Sequence, residues 1–313
     1  MRIAVIGAGG TGGYFGGLLA RAGEDVTLVA RGTQLAAILA EGLTVHSRRA
    51  GDFTIPIPVT GDTSEVGPVD FVLFCVKTYD AVAAAAQLPP LIGPDTAVLS
   101  VLNGVDSVRQ LADVVGEPHM LGGVAMVTAS VTAPGVVTQT GGQGAIALGE
   151  LNNAHTPRVE AIADVLEHAG IPATVPANIH YAMWQKFAFI CAFATTALTR
   201  LPIGNVLGTP ATRDLYEGIA AEVEAVTRAV GAPVPPDMVA TALHAAEGFE
   251  PWTRSSLAHD LASGHRLELD ALNGAVVRLG RAHNVPTPLN FALYAALAPY
   301  LHGAPRVAAP PAE

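Results

Sequence analysis

The first half of the chain alternates short apolar runs with amphipathic segments. The apolar runs "RIAVIG", "DVTLVA", "VDFVLFCVK" and "AVLSVLNG" have the length of strands. The segments after two of them, "TYDAVAAAAQL" and "VDSVRQLADVV", carry apolar residues at helical spacing. Nearly continuous apolar strands separated by helices are typical of a parallel sheet covered on both faces. This pattern predicts an α/β domain of the doubly wound kind.

The pattern changes after the fourth apolar run. The stretch "GGVAMVTASVTAPGVVTQTGGQGAIALGE" combines alternating residues with turn glycines, which predicts strands near the edge of the sheet. A helix in "TPRVEAIADVLEHAG" and a last strand in "IPATVP" follow. These elements complete the first predicted domain.

From His180 to about Leu301 the apolar spacing is helical, with breaks at prolines and glycines. We therefore predict a Rossmann-type dinucleotide-binding domain over residues 1–177, followed by an all-helical domain over residues 178–304. The proline-rich end, residues 305–313, is expected to be disordered.

A glycine-rich turn directly follows the first strand. Gly7, Gly9 and Gly12 have the spacing G-x-G-x-x-G, and Gly10 lies between them. In such a turn the first glycine permits the tight bend, the second admits a pyrophosphate, and the third lets helix and strand pack closely. The sequence predicts that these four glycines bind a dinucleotide. The alternative is a glycine-rich turn without a ligand.

The end of the second strand indicates which dinucleotide is bound. NAD enzymes usually have a carboxylate there to hold the ribose hydroxyls. This chain has Ala30 followed by Arg31 at that point. Because a guanidinium pairs well with phosphate, Arg31 favours NADP(H). The alternative is that Arg31 is a solvated loop residue.

Two polar residues follow the next strands. Lys77 ends "CVK", and Asn103 ends "VLN". Ligands of α/β sheets bind at the carboxyl ends of the strands, so both residues are candidates for contacts with cofactor and substrate. A surface lysine and an ordinary turn asparagine are the alternatives.

Lys186 is the one charged residue in the apolar stretch "MWQKFAFICAFATTALT". In a helix it shares a face with Ile190 and Ala194. An ammonium can stabilise a developing alkoxide and donate its proton, and a nearby carboxylate would keep it charged. We predict Lys186 as general acid with Glu268 as its partner. The alternative is that Lys186 extends to the solvent and Glu268 is a favourable acid at a helix start.

Charge and composition narrow the function further. The formal net charge of −10 argues against broad nucleic-acid binding. No apolar segment reaches the length of a membrane span or a signal peptide, so we expect a cytoplasmic protein. Neither the histidines nor Cys75 and Cys191 show a metal-binding pattern, and buried free thiols are expected. The acidic surface and apolar helices permit a homodimer.

The basic residues are unevenly divided, because the chain has two lysines, Lys77 and Lys186, beside fifteen arginines. Arginine does not donate a proton at neutral pH and does not replace a compact ammonium. We therefore interpret the two lysines as positions where arginine would not serve; the alternative is that they are chance remnants.

Together, "IGAGGTGGYFGGLLARAGEDVTLVARG", "CVKTYD", "LNGV", "MWQKF" and "SSLAHDLASGHRLELDALNGAVV" resemble the ketopantoate reductase (2-dehydropantoate 2-reductase) family over nearly the whole chain. The resemblance implies an NADP-binding Rossmann domain followed by a helical domain. It also implies the roles of six residues: Arg31 on the 2′-phosphate, Lys77 and Asn103 near nicotinamide and substrate, Lys186 as general acid, Ser256 on the substrate carboxylate, and Glu268 as active-site acid.

The chain departs from the family pattern beside the lysine. The family usually carries asparagines four and eight residues after it, where this chain has Ile190 and Ala194, and Thr253 replaces a third. A site without partners for a substrate hydroxyl loses selectivity for it. We predict NADPH-dependent reduction of a more apolar 2-oxo acid, branched or aromatic, unless Thr195 or Thr196 supplies the polar contact. Ketopantoate reductase proper and a non-catalytic NADP(H)-sensing protein are the alternatives.

Overall fold

The structure is a computed structural model that describes residues 1–305. Contacts divide the chain into two compact units, Met1–Met183 and Trp184–Glu313. The division falls inside a helix, a short distance after the boundary predicted from the sequence, and that boundary stays a prediction. The predicted disordered end, residues 305–313, lies outside the described residues except for Pro305.

The first unit is built on one mixed sheet. Within the described residues it has ten strands: β1 (Arg2–Ile6), β2 (Asp25–Val29), β3 (Leu43–Ser47), β4 (Phe53–Ile55), β5 (Val59–Thr60), β6 (Phe71–Phe74), β7 (Ala97–Ser100), β8 (Met120–Ala133), β9 (Val136–Glu150) and β10 (Ala173–Thr174). Their order is β4-β3-β9-β8-β7-β6-β1-β2-β5, and β10 pairs with β9. The neighbours from β7 to β5 are all parallel, whereas β8 and β9 are antiparallel.

Helices cover both faces of this sheet. The unit contains α1 (Gly10–Arg21), α2 (Gly32–Glu41), α3 (Ala81–Ala85), α4 (Ser107–Val115) and α5 (Pro157–His168). Alternate residues of β1 enter different cores: Ile3 and Val5 join the core that holds α1 and α5, and Ala4 and Ile6 join the one that holds α3 and α4. Because strand side chains alternate between faces, a strand buried on both sides has to be apolar throughout. The predicted Rossmann-type fold is confirmed.

Residues 122–150 form strands, as expected, but these strands lie in the interior of the sheet and not near its edge. They form β8 and β9, which lie inside the sheet, because β3 pairs in parallel with β9 and β4 pairs on the outer side of β3. The sequence analysis assigned no element to residues 32–60, which supply α2, β3, β4 and β5. The alternating pattern of β8 and β9 could not reveal that a separate hairpin covers their outer edge.

The second unit is helical. A long helix, α6 (Ile179–Phe193), runs from the first unit into it. The other helices are α7 (Thr195–Thr199), α8 (Ile203–Gly208), α9 (Pro210–Ala229), α10 (Met238–Glu247), α11 (Ser256–Ala262), α12 (Asn273–Ala282) and α13 (Pro288–Leu297). The core runs along α9, whose Tyr216, Ile219, Val223 and Val226 are all fully buried. Residues 230–237, the segment "VGAPVPPD", end α9, since proline cannot continue a helix.

Candidate functional site

The register of four parallel strands brings the predicted cofactor residues of the first unit to one edge of the sheet. Ile6, at the end of β1, pairs with Val29 of β2 and with Phe74 of β6. Phe74 pairs in turn with Ser100 of β7. The chain leaves all four strands at this level, and ligands of α/β sheets bind outside the carboxyl ends of their strands.

The predicted residues follow these strand ends within a few positions. The glycine turn follows β1, Arg31 follows β2, Lys77 follows β6 and Asn103 follows β7. Lys77 and Asn103 are half-buried, and both come three positions after the paired strand ends. The edge thus carries a cation, an amide and a glycine turn on neighbouring strands, as the sequence predicts.

The glycine turn fits a pyrophosphate. Gly9 is the N-cap of α1 and, as a glycine, has no side chain to cap the free N–H groups of the first helical turn. A Cβ atom built on Gly9 meets nothing within 4 Å. Free N–H groups at a helix N-terminus favour an anion, and a glycine that faces open space lets it approach the backbone.

The other three glycines of the turn serve packing. Gly7 has φ +98°, a conformation that favours glycine. A Cβ on Gly12 would lie 2.0 Å from the carbonyl oxygen of Gly7, and one on Gly10 would lie 2.1 Å from that of Ala129 in β8. Gly10 and Gly12 therefore allow α1 to sit directly against its neighbours. Of the four, Gly9 alone has open space where the side chain would be.

Arg31 has a partner that the sequence analysis did not name. Its Nη2 atom donates to Oδ2 of Asp80 at 2.5 Å, while 79% of the Arg31 side chain stays exposed. Asp80 ends the 3₁₀ turn Thr78–Asp80 that follows Lys77. The guanidinium is thereby held near the sheet edge but remains open to a further anionic group. The aspartate is visible in the sequence as the last residue of "TYD", but nothing in the sequence shows which basic residue its carboxylate pairs with.

Lys186 and Glu268 interact electrostatically within the helical unit. Lys186 lies on α6 with its side chain half-buried, and Glu268 is 7% exposed just before the 3₁₀ turn Leu269–Ala271. Burial lowers the pKa of Lys186 from 10.5 to about 8, and the charge of Glu268 acts in the opposite direction. The structure therefore brings together the two residues that the sequence analysis paired. The pKa of the ammonium lies closer to neutral pH than that of an ordinary lysine.

The helix face beside Lys186 is apolar. Ile190 is half-buried one turn further along α6, whereas Ala194 has no exposed surface in the turn after the helix. On the adjacent side of α6, the rings of Phe189 and Phe193 stack at 5.1 Å and both pack against Phe249. The Trp252 side chain, three residues after Phe249, is 72% exposed.

The two threonines that the sequence analysis named as replacements for the missing amides are already bonded. Thr195 Oγ1 donates to the carbonyl of Ala192, and Thr196 Oγ1 accepts from the backbone N–H of Ser255. Both threonine side chains are fully buried. Their hydroxyls hold the backbone of the helical unit and are enclosed away from solvent.

The two adjacent serines before α11 have different settings. Ser255 is buried and caps α11 by accepting from the backbone N–H of Ala258. Ser256, the predicted carboxylate ligand, is the exposed first residue of α11, and Thr253 is half-buried in the preceding loop. Ser256 can thus meet a ligand from solvent, while Ser255 is committed to the helix start.

The part of the chain that the structure describes shows neither a cluster of metal ligands nor a disulfide. Across residues 1–305, no group of three or more His, Cys, Asp or Glu side chains could hold a metal ion. Cys75 and Cys191 are both buried free thiols. No helix among these residues is both long enough and apolar enough to pass through a bilayer.

Comparison with known proteins agrees with this arrangement of elements. Two family models, described as "Ketopantoate reductase PanE/ApbA" and "Ketopantoate reductase PanE/ApbA C terminal", match residues 3–153 and 178–300. The chain belongs to the ketopantoate reductase family. This family of oxidoreductases includes a 2-dehydropantoate 2-reductase of Caulobacter vibrioides, which is 32% identical over 94% of this chain and 97% of its own length.

Solved structures of other proteins have the same fold. A PanE/ApbA family ketopantoate reductase from Ralstonia eutropha JMP134 is 34% identical, with a TM-score of 0.87 over 96% of this chain and 98% of its own. A D-mandelate dehydrogenase solved with NADH and anilino(oxo)acetate has a TM-score of 0.88 over 96% of this chain and 98% of its own. At 24% identity, this second likeness shows the fold alone.

Proposed function

We propose that the chain reduces a 2-oxo acid to a 2-hydroxy acid with NADPH, and that Lys186 is the general acid. The observation that carries this proposal is that Lys186, on an otherwise apolar face of α6, interacts electrostatically with the buried Glu268. Removing a charge from water costs free energy. In a member of the ketopantoate reductase family, an ammonium that takes part in the reaction explains why this cost is tolerated.

The protonation of Lys186 suits this role. With a pKa of about 8, the ammonium outnumbers the free amine by about ten to one at pH 7. A proton donor works best when its pKa lies near the working pH, because it is then both protonated and ready to release the proton. Glu268 keeps the ammonium charged as negative charge develops on the substrate oxygen.

The residues of the sheet edge support a nicotinamide dinucleotide. When bound, this cofactor supplies the hydride. The turn at Gly9 would hold the pyrophosphate, and Lys77 and Asn103 would orient the reacting groups. Arg31, with no carboxylate at the end of β2 to compete for the ribose, favours the 2′-phosphate of NADP(H) over NAD(H).

The substrate is proposed to be more apolar than ketopantoate. Ile190 takes the place of an amide on the half-buried part of the α6 face, and the hydroxyls of Thr195 and Thr196 are used inside the unit. Ser256 is proposed to hold the substrate carboxylate, and Thr253 is proposed to lie near the side chain of the substrate. Ala194, which the sequence analysis also placed there, has no exposed surface and is left out of the proposed pocket. A substrate hydroxyl in such surroundings would lose hydrogen bonds worth about 1–3 kcal/mol.

Two other functions deserve a direct comparison. Ketopantoate reductase proper is favoured by the names of the Caulobacter and Ralstonia relatives. A non-catalytic NADP(H) sensor is disfavoured by the Lys186–Glu268 pair, because cofactor binding alone does not call for a half-buried ammonium with a carboxylate partner.

The first test is NADPH consumption by the purified protein over a panel of 2-oxo acids. The panel contains ketopantoate, 2-oxoisovalerate, phenylpyruvate and benzoylformate, with NADH as the control cofactor. We expect an apolar oxo acid to give the highest kcat/KM. Highest kcat/KM for ketopantoate would establish ketopantoate reductase proper, and no turnover of any panel member would favour the sensor.

Two variants test the residue assignments. Lys186→Ala should retain NADPH binding and lose turnover by about three orders of magnitude or more, as expected when a general acid is removed. Turnover near the wild-type rate would overturn the acid assignment. Ile190→Asn should raise kcat/KM for ketopantoate relative to the apolar oxo acids, and an unchanged ratio would remove Ile190 from substrate selection.

A further inference from the structure

A buried asparagine links the two segments that carry Lys186 and Glu268. Asn273 begins α12, five residues after Glu268, and has no exposed surface. Its Nδ2 atom donates to the backbone carbonyl of Cys191 at 3.2 Å and to Oδ1 of Asn290 at 2.9 Å. Cys191 lies on α6, five residues after Lys186. The amide thus ties the start of α12 directly to the helix of the lysine.

The second acceptor is itself firmly held. Asn290 Nδ2 donates to Oε2 of Glu222 on α9 at 2.8 Å, and the backbone N–H of Asn290 donates to the same oxygen at 2.9 Å. Glu222 Oε1 also accepts from the backbone N–H of Leu289 at 2.8 Å. The links fix the orientation of the Asn273 amide, since its other orientation would turn an oxygen toward two acceptors. A continuous set of bonds therefore joins α6, α12, α13 and α9.

Within residues 1–305, the Asn273 amide is bonded at its donor end alone. Among the described residues, the Oδ1 atom of Asn273 has no hydrogen-bond partner although it is buried. A buried polar atom without a partner is costly, and an apolar residue of similar shape is often no worse for folding. The contribution of Asn273 therefore lies in its Nδ2 atom, which holds the start of α12 to α6 and α13.

We propose that Asn273 is a positioning residue that fixes the separation of Lys186 and Glu268 through its bond to the Cys191 carbonyl. This inference rests on the proposed function, in which Lys186 is the general acid. Asn273 touches neither substrate nor cofactor in this proposal. It acts by holding the segment that leads from Glu268 into α12 against α6.

The separation matters because the interaction between the two charges falls with distance. With an effective dielectric constant of about 20, moving two opposite charges from about 4 Å to about 6 Å weakens their attraction enough to change a proton affinity about tenfold. The negative charge of Glu268 acts on Lys186 and opposes the effect of burial. Loosening the segment should therefore lower the pKa of Lys186 further.

The test measures this pKa directly in the full chain. The chain has two lysines, so protein labelled with ¹³C and ¹⁵N at lysine gives two side-chain signals, and the spectrum of Lys186→Gln identifies which belongs to Lys186. Asn273→Leu removes the amide at similar volume. We expect about a tenfold weaker proton affinity of Lys186 and a lower kcat, with an unchanged KM for NADPH.

Tyr216→Phe is the matched control. It also removes a fully buried side-chain donor to a backbone carbonyl, that of Ala242 at 2.9 Å, but between α9 and α10. It should lower Tm without moving the pKa of Lys186. If Asn273→Leu does not fold, Asn273→Ser, whose hydroxyl is too short to keep both bonds, should shift the pKa in the same direction.

Two results would overturn the inference: a Lys186 pKa in the Asn273 variant equal to that of the wild type, or an equal shift in Tyr216→Phe. The titration needs no turnover. A wild-type protein that reduces no 2-oxo acid would therefore refute the proposed function, while the link between Asn273 and the ion pair would still be decided by the spectra.

Discussion

Replacing Glu268 by glutamine should move the pH dependence of the reaction in a direction that the structure fixes. In the wild type, burial lowers the pKa of Lys186 to about 8 and Glu268 opposes that shift. Glu268→Gln removes the negative charge and leaves the burial, so the pKa of Lys186 must fall. Because the protonated amine is the acid, the alkaline limb of kcat/KM should move to lower pH.

The size of the effect follows from the protonated fraction. An opposite charge nearby typically shifts a pKa by at least one unit. A fall of about one unit from about 8 would reduce the protonated fraction at pH 8 from about one-half to about one-tenth. At pH 6 both proteins would be more than about nine-tenths protonated. The ratio of variant to wild-type kcat/KM should therefore drop about fivefold between pH 6 and pH 8.

The assay is NADPH oxidation with the best 2-oxo acid over pH 5.5–9.5. Glu224→Gln is the control, because it removes the same charge from a carboxylate that pairs with Arg228 on the surface of α9. This control should leave the limb in place. A limb that stays fixed in Glu268→Gln, or that moves to higher pH, would refute the role of Glu268 in keeping Lys186 charged.

Three further predictions concern the cofactor site and the helical unit. Gly9→Ala should keep the wild-type Tm, since its Cβ meets open space, but should weaken NADPH binding about tenfold or more in a fluorescence titration. Gly12→Ala should fold poorly, because its Cβ would lie 2.0 Å from a carbonyl oxygen. Equal Tm losses would contradict this contrast. Arg31→Ala should raise KM for NADPH about tenfold and leave that for NADH unchanged, and equal changes for both cofactors would contradict its role at the 2′-phosphate. Glu222→Ala should cost about 1–3 kcal/mol in urea unfolding, because it leaves the N–H groups of Leu289 and Asn290 without their acceptor, and an unchanged midpoint would show that water replaces it.

The architecture was predictable because local patterns of apolar residues indicate it. Apolar runs of strand length and helical spacing indicated the sheet, its covering helices and the helical second half. The position of β8 and β9 was not predictable in this way. It depends on β3, which pairs with β9 across a long stretch of intervening chain, and periodicity carries no information about which strands become neighbours.

The candidate residues show the same division. The turn at Gly9, Arg31, Lys186 and Glu268 stood out because each has a residue type that its local surroundings do not explain. Asp80 and Asn273 did not stand out, since an aspartate in a turn and an asparagine before glycine are ordinary in sequence. Their importance comes from partners elsewhere in the chain, Arg31 and the carbonyl of Cys191.

The sequence by itself determined the fold class, the family resemblance and the chemical types available: a phosphate-binding turn, a guanidinium, and an ammonium with a carboxylate. Tertiary structure alone decided which of these groups meet. It left Lys186 half-buried where the charge of Glu268 acts on it, enclosed Thr195 and Thr196, and separated the exposed Ser256 from the buried Ser255. The physical reason is that a residue's type follows from local composition, whereas its pKa, burial and hydrogen-bond partners depend on atoms that only folding brings near.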